Sequence, residues 1–132
     1  MTHTIRLRGP WHCQPLERAG EGPLPAAGTL AMPGDWSELL GADFRGRARL
    51  TRLFNRPTGL DELHRVWLVL DDAGHVSTLH LNGQELSRGL PRQDITALLN
   101  PRNELIIEII SLDAPGALGL VQLEIEEPAS DK

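Results

Sequence analysis

The stretch Leu79–Ile109, LHLNGQELSRGLPRQDITALLNPRNELIIEI, decides how the rest of the chain is read. Leu79 and Leu81 alternate with Thr78, His80 and Asn82, the period of a strand with one buried face. Asn82-Gly83 tolerates the positive φ angles of a tight turn. A polar excursion follows, then DITALL, where Thr96 is expected to cap the single turn Ala97–Leu99 and Pro101 to stop it. Glu104–Ile110, ELIIEII, is a second, more apolar strand. The pattern is strand, turn, short excursion, turn and strand, with no room for a long helix.

The flanking segments follow the same rule. Ile5 and Leu7 alternate with Thr4, Arg6 and Arg8 before Gly9-Pro10 interrupts the strand. Gly20 to Gly34 is too broken by Gly and Pro for a long element, and DWSELLG predicts one helical turn with Asp35 as cap and Gly41 as stop. In RGRARLTRLFNRP, Arg45, Arg47 and Arg49 oppose Gly46, Ala48 and Leu50, and with Arg52 they read as a solvated strand face. Val66–Leu70 is an uninterrupted apolar run, expected to be covered on both faces and joined to the next strand by a hairpin at Asp71-Asp72-Ala73-Gly74. Val121, Leu123 and Ile125 alternate with Gln122, Glu124 and Glu126. Trp67, Leu68, Leu79, Leu81, Leu105, Ile107 and Ile109 are the expected core. Seven or eight short strands predict an all-β fold, an antiparallel β-sandwich of jelly-roll type. It is expected to occupy residues 1–132 as one domain, with a frayed tail from about residue 127.

Bulk properties remove several functions. The formal net charge of −5 gives no general attraction to nucleic acid or to an anionic membrane surface. Cys13 is the single cysteine, so no internal disulfide forms. No apolar run reaches the ~20 residues of a membrane helix, and the N-terminus has no secretory h-region, so a cytoplasmic location is expected.

The order of Asn82, Gly83, Gly89, Asp94, Ile95, Thr96, Leu98, Leu99, Asn103 and Leu105 resembles the sugar-binding jelly roll of family-two glycoside hydrolases, the β-galactosidase and β-glucuronidase family. Further segments agree in order: LRGPW with Trp11, MPGDW across Pro33–Trp36, Gly46, Ala48, Arg52, Phe54 and Pro57 in the arginine strand, and the closing GALGLVQLEI. The resemblance implies a galactose-binding-domain-like fold and carbohydrate as partner. In that family the catalytic carboxylates belong to a separate (β/α)₈ barrel of about 250 residues. Nothing in this chain carries that barrel's Glu motifs, so a stand-alone, non-catalytic domain is expected, with no cofactor. The chain departs from the family at Arg49 and Leu50, where aromatics are usual, and at Leu118-Gly119, where an aromatic followed by Arg is usual.

Individual residues admit sharper readings that simpler ones outweigh. Trp11, Trp36 and Trp67 could stack on a pyranose, yet all three fall at packing positions. His12 beside Cys13, with His3 nearby, fits no usual zinc spacing, and Asp71-Asp72 reads as turn chemistry rather than a calcium site, so no metal is expected. No nucleophile elbow or phosphate-cradling loop is present. Arg88 and Arg92, on the excursion after LNGQEL, are the candidate carbohydrate-facing residues. The expected function is a non-catalytic carbohydrate-binding module. The alternative is an orphan jelly roll serving protein–protein association, self-association or structural support.

Overall fold

The computed structural model describes residues 2–20, 22–31, 34–35, 37–41, 44–71, 76–87, 90–111, 117–119 and 121–127. Its strands are β1 (Thr2–Arg6), β2 (Trp11–Arg18), β3 (Gly28–Leu30), β4 (Gly34–Asp35), β5 (Gly46–Asn55), β6 (Arg65–Leu70), β7 (Val76–Leu81), β8 (Gln84–Glu85), β9 (Arg92–Asp94), β10 (Arg102–Ser111), β11 (Ala117–Leu118) and β12 (Val121–Glu126). Helix among the described residues is confined to α1 (Ser37–Leu40), followed by Gly41 at φ 99°, and a 3₁₀ turn over Thr96–Leu98.

Six strands run in the order β3-β2-β5-β10-β7-β8 and four in the order β1-β12-β6-β9, every pairing antiparallel. This is the β-sandwich that the alternating segments predict. The minor pair β4–β11 lies apart from both sheets. The longest ladder joins β5 to β10, from Arg102↔Asn55 to Ser111↔Gly46. Period-two side-chain alternation then sends Ala48, Leu50, Leu105, Ile107 and Ile109 inward from one sheet, with Leu79 and Leu81 beside them. Val66, Leu68, Leu70, Val121, Leu123 and Ile125 come from the other sheet, and all are buried. Trp11 is fully buried, its Nε1 donating to the Leu7 carbonyl at 2.7 Å.

The decisive stretch folds around two asparagines. Asn82 (φ 52°) and Gly83 (φ 84°) are both left-handed, and Leu81↔Gln84 closes a two-residue hairpin between β7 and β8. The Asn82 side chain then does more than turn the chain. Its Nδ2 donates to the Leu98 carbonyl and to Asn103 Oδ1, each at 2.9 Å, and its Oδ1 accepts the Glu104 N–H at 2.9 Å. Asn103, at 1% exposure, is the only buried polar residue among those described. Its Oδ1 also accepts the Asn100 N–H at 2.8 Å, and its Nδ2 donates to the carbonyls of Asn100 (2.9 Å) and Phe54 (3.3 Å). Two side chains thereby tie the hairpin, the 3₁₀ turn and the start of β10 together.

Gly46 answers a different constraint. It has φ 147°, and a Cβ there would meet the Glu17 carbonyl oxygen at 2.0 Å, beside the irregularity between Pro15 and Glu17 in the β2–β5 ladder.

Five expectations are corrected. β6 and β7 do not form a hairpin: β6 pairs with β12 and β9, whereas β7 pairs with β10 and β8 in the opposite sheet. Turn residues mark where a chain reverses, not which sheet receives it; residues 72–75 lie outside those described. The run Val66–Leu70 is not covered on both faces, because Trp67 and Val69 point outward and are half-buried. Trp67 therefore leaves the expected core, while Leu68, Leu79, Leu81, Leu105, Ile107 and Ile109 are buried in it. Thr96 does not cap the 3₁₀ turn: Ile95 stands at the cap position without a side-chain bond, and the Thr96 N–H donates to Asp94 Oδ1 at 2.9 Å. Its Oγ1 instead accepts the Val66 N–H across the sheet at 2.8 Å and donates to Asp94 Oδ1 at 2.6 Å.

Finally, Arg52 does not share a face with Arg47 and Arg49. It lies three residues past Arg49, an odd step that turns it to the side of Leu50 and Phe54.

Candidate functional site

The outer face of the four-stranded sheet is built by pairing register. Asp94, Trp67, Glu124 and Thr4 lie side by side across β9, β6, β12 and β1, as do Arg92, Val69, Gln122 and Arg6 in the neighbouring row. Arg65, Glu126 and Thr2 form a third row. Directly opposed residues share a face, so these rows make one polar surface with a single indole in it.

Arg92 is not on a loop. It begins β9, opposite Val69, and its guanidinium lies 3.9 Å from the centroid of the Trp67 ring. Its Nε donates to Glu124 Oε1 at 3.1 Å, and a terminal nitrogen lies 3.8 Å from Glu126 Oε2. The indole Nε1 donates to that same Glu126 Oε2 at 2.9 Å. Arg92 thus touches the other three, Trp67 and Glu126 touch each other as well, and Glu124 holds Arg92 alone: a cation over an aromatic face, with one carboxylate fixing both and a second fixing the cation.

Asp94 sits next to this cluster. Burial pushes its carboxyl up, but the hydroxyl and N–H of Thr96, with the charges of Arg65 and Arg92, outweigh that and hold it below the usual carboxylate range. The arrangement places a guanidinium over the indole and edges it with hydrogen-bond acceptors.

The other sequence candidates separate. Arg88 and Trp36 lie outside the described residues. Trp11 is buried and unavailable as a platform. His12 and Cys13 point to opposite faces of β2, Cys13 fully buried with its thiol pushed up to about 11 by desolvation. His3 binds Glu127 at 2.7 Å, and no cluster of three metal-ligating side chains occurs among the described residues. Arg47 and Arg49 share Glu108, at 3.4 and 3.3 Å, on the outer face of the six-stranded sheet. Glu124 and Glu126 were not singled out by sequence; their alternation with Leu123 and Ile125 already put them on the wet face, but nothing linear linked them to Arg92. At Gly119, a Cβ would meet the Asp71 carbonyl oxygen at 2.6 Å, so a side chain there requires the backbone to move.

No family model matches the sequence, and no curated protein matches it. Solved structures do. An FMN-binding β-glucuronidase from Faecalibacterium prausnitzii L2-6 superposes with a TM-score of 0.72 at 26% identity, over 96% of this chain and 23% of that one. A β-glucuronidase from Bifidobacterium dentium, complexed with coumarin-3-O-glucuronide, gives 0.70 at 20% identity over 98% and 30%. A rhamnosidase from Novosphingobium sp. PP1Y gives 0.72 at 19% identity over 96% and 15%. The chain thus corresponds to under a third of each of these proteins. No helix among its described residues is long and apolar enough to cross a membrane.

Proposed function

Because the chain has the jelly-roll fold of one domain of family-two glycoside hydrolases, we propose that it is a non-catalytic carbohydrate-binding module whose sugar contact is the Trp67–Arg92 cluster. The observation that carries this reading is the guanidinium stacked on the indole and flanked by Glu124 and Glu126. Sugar rings carry hydroxyl edges, and this cluster presents a guanidinium flanked by carboxylate acceptors. Glycoside hydrolysis needs two carboxyl groups set across a scissile bond, one of them a proton donor. Glu124 and Glu126 instead share one guanidinium on an open sheet face. Hydroxyls that exchange water for protein partners gain little, so affinity for a monosaccharide is no better than millimolar, about −4 kcal/mol.

The test is a titration of the ¹⁵N-labelled protein with galactose, glucuronate and rhamnose, following backbone amides and the Trp67 indole N–H. Saturable shifts confined to β6, β9 and β12, lost in Arg92→Ala, support the reading. Unchanged spectra with all three sugars, together with a stable dimer in sedimentation, would replace it with the association role. Turnover of a nitrophenyl glucuronide that a substitution in this chain abolishes would overturn the non-catalytic part.

A further inference from the structure

We infer that the free edge of β1 is a self-association site, at which two copies of the chain join their four-stranded sheets into one antiparallel sheet about a two-fold axis at Thr4. Sheet edges invite pairing with another strand, and proteins shorten, charge or bend them to prevent it. Three of the four edges of the two main sheets are short: β9 and β3 have three residues each and β8 has two. β1 has five, without proline, lysine or an irregularity in its ladder with β12.

Which main-chain groups face the edge follows from one hydrogen bond. The Leu7 N–H donates to the Val121 carbonyl at 2.8 Å, and the β1–β12 register continues to set these two residues opposite each other. Hydrogen-bonded pairs alternate along an antiparallel ladder. Ile5 and His3 therefore also bond to β12, while Thr2, Thr4 and Arg6 turn their N–H and C=O groups outward. All five residues of β1 are exposed. That includes Ile5 and His3, although they lie opposite buried Leu123 and Ile125 on the inward face. Both line a cavity of about 570 Å³ whose wall also includes Pro57 and Leu60. The inward face of β1 is left uncovered by its own sandwich.

A second copy is the occupant that fits. With Thr4 opposite Thr4, Thr2 faces Arg6 of the other copy and His3 faces its Ile5. The outward-turned residues then meet one another, and each such pair exchanges both main-chain bonds. This is the one antiparallel register that pairs all five residues of the strand with themselves. Inward residues stay inward, and the two Ile5 side chains become diagonal neighbours that cover each other. On the outer face no like charges are directly opposed. Arg6 has no carboxylate within 4 Å in its own chain among the described residues. In the pair it lies beside the other copy's Thr2, with that copy's Glu126 next in the same row. The association does not depend on sugar binding. It leaves the Trp67–Arg92 clusters open on one continuous face, five strand spacings or about 24 Å apart.

The test is sedimentation equilibrium from micromolar to millimolar protein, with amide hydrogen exchange read by NMR. The expected result is a mass that rises toward twice the monomer value, the Thr4 and Arg6 amides becoming protected as it does. Thr4→Pro removes a donor from the centre of the interface in each copy and none from the β1–β12 ladder. It should raise the dissociation constant at least about tenfold. Thr4→Lys keeps the main chain intact, opposes two like charges at the axis and should act in the same direction; mixing it with Thr4→Glu should restore the dimer. A monomer at every concentration would leave the edge to a foreign strand and overturn the pairing. So would a dimer that Thr4→Pro and Thr4→Lys leave unchanged, or Thr4 and Arg6 amides that exchange as freely in the dimer as in the monomer.

Discussion

Replacing Asn103 by Ala tests whether the asparagine pair, rather than apolar burial alone, holds the decisive stretch together. The side chain makes four hydrogen bonds, three at 2.8–2.9 Å and one at 3.3 Å. A buried hydrogen bond contributes about 0.5–1.5 kcal/mol net, and a partner left buried without a replacement costs about 1–3 kcal/mol. Asn82 keeps two of its own contacts, and the Asn100 backbone is near enough to the surface to recruit water. The carbonyl of Phe54 contributes a long, weak bond. Counting the two strong backbone bonds at about 1 kcal/mol each and the other two at about half that gives a loss of about 3 kcal/mol. Urea unfolding followed by tryptophan fluorescence reads this directly, since Trp11 is fully buried and reports exposure of the core. Circular dichroism of the native variant should stay β-rich. A loss below ~0.5 kcal/mol, the size of an ordinary surface change, would refute the argument and show that the turns hold without the network.

Leu81→Ala, at a position fully buried between β10 and the hairpin turn, should cost about 2–5 kcal/mol in the same melts. Asp94 has a lowered folded pKa, so its contribution to stability is present above the unfolded carboxylate value near ~4 and is lost as pH falls through the folded value. Asp94→Asn should accordingly flatten the acid side of the stability–pH curve; an unchanged acid limb would contradict the hydrogen-bond assignment. The Cys13 thiol, buried and pushed up to about 11, should resist a disulfide reagent in the native protein at pH 8 and react promptly in urea. Prompt native labelling would mean that β2 opens.

What the sequence disclosed divides along a physical line. Period-two alternation records which face of a strand is wet, so Leu79, Leu81, Val121, Leu123 and Ile125 were legible as core. Asn82-Gly83 was legible as a turn, because few residue pairs accept two positive φ angles. Strand partnership was not legible in the same way. Asp71 to Gly74 reads as a hairpin tip, yet β6 and β7 belong to opposite sheets, because pairing is settled by the whole register and not by the connection. The outward position of Trp67 is hidden for a related reason. Its run of apolar neighbours hides an alternation in which Val66, Leu68 and Leu70 face in and Trp67 and Val69 face out. The binding cluster inherits that limit: Arg92 was named, but Glu124 and Glu126, some thirty residues on, join it only through the β6–β12 ladder.

The net charge of −5 says little about where charge is available on the two sheets. At physiological salt, exposed charges are screened beyond about 8 Å, so anything approaching either sheet responds to the local set and hardly to the whole molecule. The carboxylates counted in that net charge include Glu108, Glu124 and Asp94, which are engaged by arginines on the outer faces of the two sheets. Their negative charge is answered where it stands. Arg52 departs from that pattern because it sits an odd number of residues from Arg49, which carries it off the outer face and away from Glu108. A one-residue change in spacing along β5 therefore separates a surface ion pair from a guanidinium that turns back onto the Leu53 carbonyl. That parity, more than the number of arginines in the strand, decides which of them meets a carboxylate.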